Sequence, residues 1–263
     1  VLRTISVGAE PTPLFKALRV VSGAQGSLRT ERLEAPFVGR DSELRLVKDT
    51  FHASAEERRA HLVSVTGIGG IGKSLLAWEF EKYADGFAAE VYWHRGRCLA
   101  YGEGVAYWAL ADMVRMRCRI GEDEPAETVL AKLRATLQEN VDDAGERERL
   151  EPRLAQLLGV GEHAVAERSE LFAAWRLFFE RLAERLPTVL VFEDMQWADA
   201  SLLDFVEYLL DWSRNLPIFV VTLARPDLLD KRPTWGVGVR HFSAVYLDPL
   251  AAPAMAALLD GLV

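Results

Sequence analysis

The sequence predicts a three-layer α/β fold built on a parallel sheet, and three stretches carry that prediction. The apolar run Leu62 to Val65 leads into Gly67-Ile68-Gly69-Gly70-Ile71-Gly72-Lys73-Ser74, and Leu76, Phe80 and Tyr83 follow at helical spacing. Strand, glycine-rich turn and helix therefore succeed one another. A second run, Thr188-Val189-Leu190-Val191-Phe192, is apolar throughout, as a strand buried on both faces requires, and it ends in Glu193-Asp194. A third, Ile218-Phe219-Val220-Val221-Thr222, ends at Leu223-Ala224-Arg225-Pro226. Strands that alternate with helices pair in parallel, because each helix carries the chain back across the sheet.

Half of the 263 residues are apolar, enough for one large core or two smaller ones. The formal charge of -8 argues against a broad nucleic-acid surface, so no nucleic-acid partner is expected. Cys98 and Cys118 show no recurrent spacing, which suggests neither a disulfide framework nor a cysteine metal site. A reducing, cytoplasmic setting is the expectation. No apolar run approaches the ~20 residues of a membrane span. The chain starts at Val1 without an initiator methionine and reads as a piece of a longer protein.

Taken in order, residues 1 to 36 carry Gly8, Pro11, Pro13, Gly23 and Gly26 around one short apolar segment. They read either as a connector from an upstream domain or as an arm packed on the core. Residues 37 to 263 form the domain itself. In Phe37-Val38-Gly39-Arg40-Asp41-Ser42-Glu43-Leu44 a turn glycine precedes a charged helix start, and the helix runs to about His52. Gly67, Gly72, Lys73 and Ser74 complete the phosphate-binding loop pattern G-x-x-x-x-G-K-[ST]. Glycines let backbone N–H groups, those of Gly69, Gly70 and Ile71 included, curl around phosphates beside a helix N-terminus. Lys73 is expected to reach the β- and γ-phosphates and Ser74 to take a place on Mg²⁺.

A second strand is expected at Glu90 to Trp93, followed by a loop from Gly96 through Gly104. His94 and Cys98 lack two further ligands at a recognisable spacing, so no metal is assigned to them. From about 105 to 186 the pattern is helical, an insertion before the second buried strand. Its helices are Val105 to Cys118, Thr128 to Glu139, Glu146 to Leu158 and 167 to 186, with loops at Gly121 to Pro125 and Asp142 to Gly145. Pro152 either kinks the third of these or marks its first turn. Glu193 and Asp194, delivered at a strand's carboxyl end, stand where a Mg²⁺-nucleotide site needs acids, the Walker B position. Arg225, before a proline, taken alone reads as an ordinary residue of a surface turn. Ser243 to Leu247 is expected to be a fifth strand, and a last helix begins at Pro253.

With these motifs the chain resembles the P-loop NTPases of the AAA+ and STAND classes. The resemblance rests on V-G-R-x-x-E-L about thirty residues before the phosphate loop, on four apolar residues followed by two acids, and on Gln196-Trp197-Ala198-Asp199. Gly96-Arg97-Cys98 followed by Tyr107-Trp108-Ala109-Leu110 adds to it, and Gly8 to Val20 is similar to the segment after the catalytic domain of class III nucleotidyl cyclases. It implies that Val38, Gly39 and Arg40 line the adenine pocket, that Glu193 holds Mg²⁺ and that Asp194 is the base. Glu193 is a methylene longer than the Asp of many relatives, so exchange of those two roles stays open. The strand ending at Arg225 would lie between the phosphate-loop and Walker B strands, which would make Arg225 a γ-phosphate sensor. After Leu247-Asp248-Pro249-Leu250, helical and winged-helix parts would follow beyond this chain. The implied function is an ATP-binding regulatory module, a slow Mg-ATPase switch beside an upstream cyclase domain, with nucleotide-dependent oligomers as a further expectation. A central ATPase domain of a large transcription regulator and a continuously cycling motor-type ATPase are the alternatives.

Overall fold

The computed structural model describes residues 36–86, 90–100, 106–161 and 166–261. The expected connector, up to residue 35, and the loop residues Tyr101 to Gly104 lie outside them.

Five parallel strands form one sheet: β1 (His61–Thr66), β2 (Tyr92–Arg97), β3 (Thr188–Glu193), β4 (Ile218–Ala224) and β5 (Phe242–Tyr246), in the order β2-β3-β4-β1-β5. Every residue of β1, β3 and β4 is buried, whereas the edge strands β2 and β5 are only partly so. That difference explains which strands stood out as apolar runs.

On one face lie α1 (Asp41–Glu57) and α2 (Lys73–Asp85), packed on Val63, Val65, Val189, Val191, Phe219 and Val221. The other face, including Leu62, Leu190, Phe192, Ile218 and Val220, is covered by α3 (Trp108–Arg117), α4 (Ala126–Asn140), α5 (Ala144–Leu157), α6 (Arg168–Arg185) and α7 (Ala200–Trp212). The three-layer arrangement and the helical insertion between β2 and β3 are as expected, and β4 does lie between β1 and β3. Two shorter helices complete the domain: α8 (Asp227–Lys231) and α9 (Ala252–Asp260).

Several boundaries differ from the sequence reading. The strand expected at Glu90 to Trp93 runs instead from Tyr92 to Arg97, so Gly96 and Arg97 continue β2 and do not open a loop. Gly96 is required there because a Cβ would stand 1.9 Å from the Ala109 carbonyl oxygen, so α3 rests directly on the strand. Gly145 belongs to α5, whose N-cap is Asp143, its side chain accepting from the Glu146 N–H; Pro152 is therefore interior and does not mark the first turn. The helix α7 was missed altogether, although Asp199 caps it by accepting from the Leu202 N–H at 2.7 Å. Its buried residues Leu202, Leu203, Phe205, Val206, Leu209 and Leu210 follow the helical spacing of one apolar face, so with the Asp199 cap the signal was present in the sequence.

His94 of β2 is wholly buried, donating from Nδ1 to the Val189 carbonyl at 3.2 Å, with an edge-on contact to Phe179. Burial drives its pKa down to about 3, so the ring is neutral. Cys98 and Cys118 are free and buried, and burial raises their thiols to about 12 and about 11. No helix among the described residues is long and apolar enough to cross a membrane.

Candidate functional site

Three strand ends converge at the carboxyl edge of the sheet: Thr66, Ala224 beside it, and Glu193 one strand further. Ligands of open parallel sheets bind at this edge. The phosphate loop leaves β1 at Gly67, whose N–H donates to the Ala224 carbonyl at 3.2 Å, while the Leu247 N–H donates to Thr66 at 2.8 Å. A side chain at Gly67 would meet Ile71 Cγ2 at 2.8 Å and the Leu247 carbonyl at 3.1 Å, so close approach selects glycine. Gly70 and Gly72 have φ of 79° and 104°, and a Cβ on either would point into open space. There the left-handed backbone is the reason. Gly72 is also the N-cap of α2 and supplies no side-chain acceptor, leaving the first-turn N–H groups for a ligand.

Lys73 folds back over this loop, donating from Nζ to the carbonyls of Gly67 at 2.7 Å and Ile68 at 2.9 Å. Burial and the positive charge of Arg225 hold its pKa below the ordinary lysine value, with Asp194 pulling the other way. Arg225 lies over the loop: its Nη2, Cζ and Nε atoms are 3.6, 3.7 and 3.8 Å from the point where a Gly69 Cβ would be. Gly69, Lys73, Arg225 and Asp194 thus form one cluster, assembled from the ends of β1, β3 and β4 and the start of α2. Ser74, on the first turn of α2, is exposed.

The two acids have different surroundings. Glu193 is buried and faces β2, where Arg97 Nη2 donates to it at 3.2 Å and Arg95 Nε stands 3.8 Å away. Arg97 Nε is also 3.3 Å from Asp194, so one guanidinium spans both carboxylates. Arg95 in turn bonds Glu81 of α2 at 2.8 Å; burial pushes the Glu81 carboxyl up while Arg95 opposes that shift. Asp194 breaks the strand with a left-handed φ of 56° and is only half-buried.

Gln196, 1% exposed, connects the cluster. Its amide donates to Asp194 Oδ1 at 3.2 Å and its carbonyl oxygen accepts from the Arg225 N–H at 3.0 Å. Lys231 of α8 donates to the Gln196 backbone carbonyl at 2.6 Å. Sequence reasoning missed the roles of Arg95, Arg97 and Gln196. No local signal marked the arginines: Arg97 meets Glu193 through the β2–β3 register, and the period of two puts Arg95 on the same face.

The Val38-Gly39-Arg40 element packs on the segment after β5, whose Leu247 also lies beside Gly67 of the phosphate loop. Gly39 has φ of 65°, and a Cβ there would lie 2.6 Å from Ala254 Cβ of α9. Arg40 is buried, donating to Glu43 at 3.0 Å and to the Asp248 carbonyl. This joins the start of α1 to the segment after β5.

The model for the AAA ATPase domain matches residues 36–221, well over half of the sequence. The chain belongs to the AAA ATPase domain family. Solved structures agree on the fold. This AAA ATPase domain superposes on Cdc6p from Pyrobaculum aerophilum with a TM-score of 0.50 and 13% identity, over 91% of this chain and 52% of that one. The Aeropyrum pernix ORC1 protein, solved in complex with DNA, gives 0.50 and 13% over 89% and 51%. The AAA ATPase domain therefore spans about half the length of these structures. A STAND protein with a tetratricopeptide repeat sensor from Pyrococcus horikoshii overlaps at a TM-score of 0.41 with 18% identity, over 88% of this chain and 26% of that one, too loose a match to carry an argument. No curated protein matches the sequence significantly.

The family implies a nucleotide, typically with Mg²⁺, and the residues present fit both. Gly67, Gly69, Gly70, Ile71, Gly72 and Lys73 offer N–H groups and a charge for phosphates. Ser74 with Glu193 or Asp194 offers the hard oxygen donors that Mg²⁺ takes.

Proposed function

We propose that this AAA ATPase domain is a slow, Mg²⁺-dependent ATP switch of the STAND type within a multidomain signalling protein, with a nucleotidyl cyclase as its effector. The sequence likeness to cyclase-linked modules motivates the effector. The observation that carries the switch reading is Arg225, whose guanidinium lies over Gly69 while its backbone N–H is held by Gln196, itself bonded to Asp194. A residue in touch with both the phosphate cradle and the acids is placed to report the phosphate state to β4 and α8.

Bound Mg²⁺-ATP supplies the phosphoanhydride bond to be hydrolysed. In this reading Lys73 and the loop glycines hold the phosphates, Val38, Gly39 and Arg40 contact the base, and Ser74 with Glu193 holds the metal. Asp194 accepts the proton of the attacking water at a carboxylate oxygen, and Gln196 orients that carboxylate. Arg97 screens the two adjacent negative charges from each other. Nucleic-acid binding is weighed down by the formal charge of -8.

The test is steady-state phosphate release by the purified chain, with calorimetry of adenine nucleotide binding alongside. A switch must keep each state populated long enough to signal, so turnover is expected well below the ~10 s⁻¹ typical of enzymes. Lys73→Ala is expected to abolish tight Mg-ATP binding; a folded variant with unchanged affinity removes the phosphate loop from the argument. Turnover at or above the typical value and indifferent to Arg225→Ala would support a motor-type ATPase instead.

A further inference from the structure

At the other end of the sheet, α1 ends in Glu57, β1 begins with His61, and His241 immediately precedes β5. We propose that these three residues form a Zn²⁺ site, separate from the nucleotide site. One ligand atom from each lies within 4.8 Å of those of the other two. The six residues of β1 separate His61 from the phosphate loop, roughly 20 Å at strand rise.

One feature favours metal binding over chance proximity. His61 is only 7% exposed, and its Nε2 has no hydrogen-bond partner. A buried ring nitrogen without a partner is costly unless something ligates it. The His61 and His241 rings stack at 4.6 Å and 26°, so the two are already neighbours, and one ring must turn for both to face the same ion.

The backbone around the three residues is also tightly fixed. The His241 carbonyl accepts from the Leu62 N–H at 3.0 Å, which ties β5's entry to β1. The turn from Glu57 to His61 is held by buried Ser54, whose hydroxyl lies 2.6 Å from the Arg59 carbonyl and 3.2 Å from that of Ile218. Arg58 there has a left-handed φ of 49°, and the Arg59 N–H donates to the Ser54 carbonyl at 3.1 Å. Closing the site needs only rotation of the exposed His241 and Glu57 side chains toward His61, to reach bond lengths of roughly 2.0–2.2 Å. The competing contact, Glu57 to Arg59 at 3.9 Å between exposed side chains, contributes little.

Two imidazoles and one carboxylate suit a borderline-soft cation such as Zn²⁺ and not Mg²⁺, which prefers oxygen donors. Three protein ligands leave a fourth position for water. His241 also lines a cleft of ≈ 570 Å³ together with Arg59, Arg214 and Arg240, which gives that position access to solvent. Bound metal would clamp α1, β1 and β5 together, adding to the stability of the sheet edge.

The experiment is a Zn²⁺ titration of the tag-free, chelator-treated full chain in excess Mg²⁺, by calorimetry and thermal unfolding, with Co²⁺ absorption as a second readout. One Zn²⁺ per chain is expected, with a higher unfolding midpoint. His241→Ala and Glu57→Gln change exposed side chains, so both variants are expected to fold. Each should weaken Zn²⁺ binding by more than the ~10-fold typical of losing an outer-shell partner, and remove the midpoint shift. Absence of a saturable site, or affinity unchanged in His241→Ala, overturns the assignment. Nucleotide binding is measured in parallel, so failure here is distinguishable from failure of the nucleotide site.

Discussion

Lowering the pH should destabilise this domain through His94 well before its carboxylates protonate. The ring is wholly buried and neutral, with a pKa near 3 set first by burial and second by the nearby Arg117 charge; only the hydrogen bonds to the strand backbone oppose them. In the unfolded chain it titrates near the ordinary value of about 6.5. Between those values the unfolded state carries a proton that the folded state refuses, so unfolding becomes more favourable as pH falls. Stability from this group is complete above about 6.5 and is lost progressively down to about 3. Two-state linkage with those constants gives a loss of about 2 kcal/mol between pH 7 and pH 5. Chemical denaturation at the two pH values measures it. His94→Phe keeps an aromatic ring against Phe179 and cannot titrate, so its stability should differ between the two pH values by about 2 kcal/mol less than that of the parent. An equal pH dependence in parent and variant would refute the reasoning, because it would mean that His94 is protonated in the folded state or that other groups carry the whole effect.

Two further substitutions probe the carboxyl edge of the sheet. Gln196→Ala removes the bridge between Asp194 and the Arg225 N–H and leaves that part-buried N–H to water, at a cost below the ~1–3 kcal/mol of a fully buried donor. If it falls on the reacting geometry, turnover drops by up to roughly tenfold while adenine nucleotide affinity stays within a few-fold; phosphate release with calorimetry checks both, and unchanged turnover removes Gln196 from the site. Gly96→Ala puts a methyl 1.9 Å from the Ala109 carbonyl oxygen, so α3 must lift from β2. Overpacking of this kind costs about 1–3 kcal/mol, and a midpoint falling by several degrees in a thermal melt is the expected result.

By itself, the sequence determined whatever depends on neighbours along the chain. The phosphate loop was legible because Gly67, Gly72, Lys73 and Ser74 act within one turn, and their spacing is the chemistry. The central strands β1, β3 and β4 were legible because burial on both faces demands unbroken apolar runs, which also fixed the layer architecture. The edge strand β2 was cut short because its exposed side tolerates Arg95 and Arg97, whereas α7 was missed although Leu202, Phe205, Val206 and Leu209 carry the helical period. Tertiary structure alone decided what lies across the sheet. Arg225 reaches Gly69 only because β4 pairs with β1, and Arg97 meets Glu193 only because β2 pairs in register with β3. Gln196 joins Asp194 to Arg225 across 29 positions of sequence. Glu57, His61 and His241 come together because β5 lies beside β1 and α1 ends there, a closeness that the 179 residues between His61 and His241, among them the whole helical insertion, hide from any local pattern. Local spacing is set by covalent geometry, but contacts between strands depend on pairing order, which the chain encodes only through the packing of the complete core.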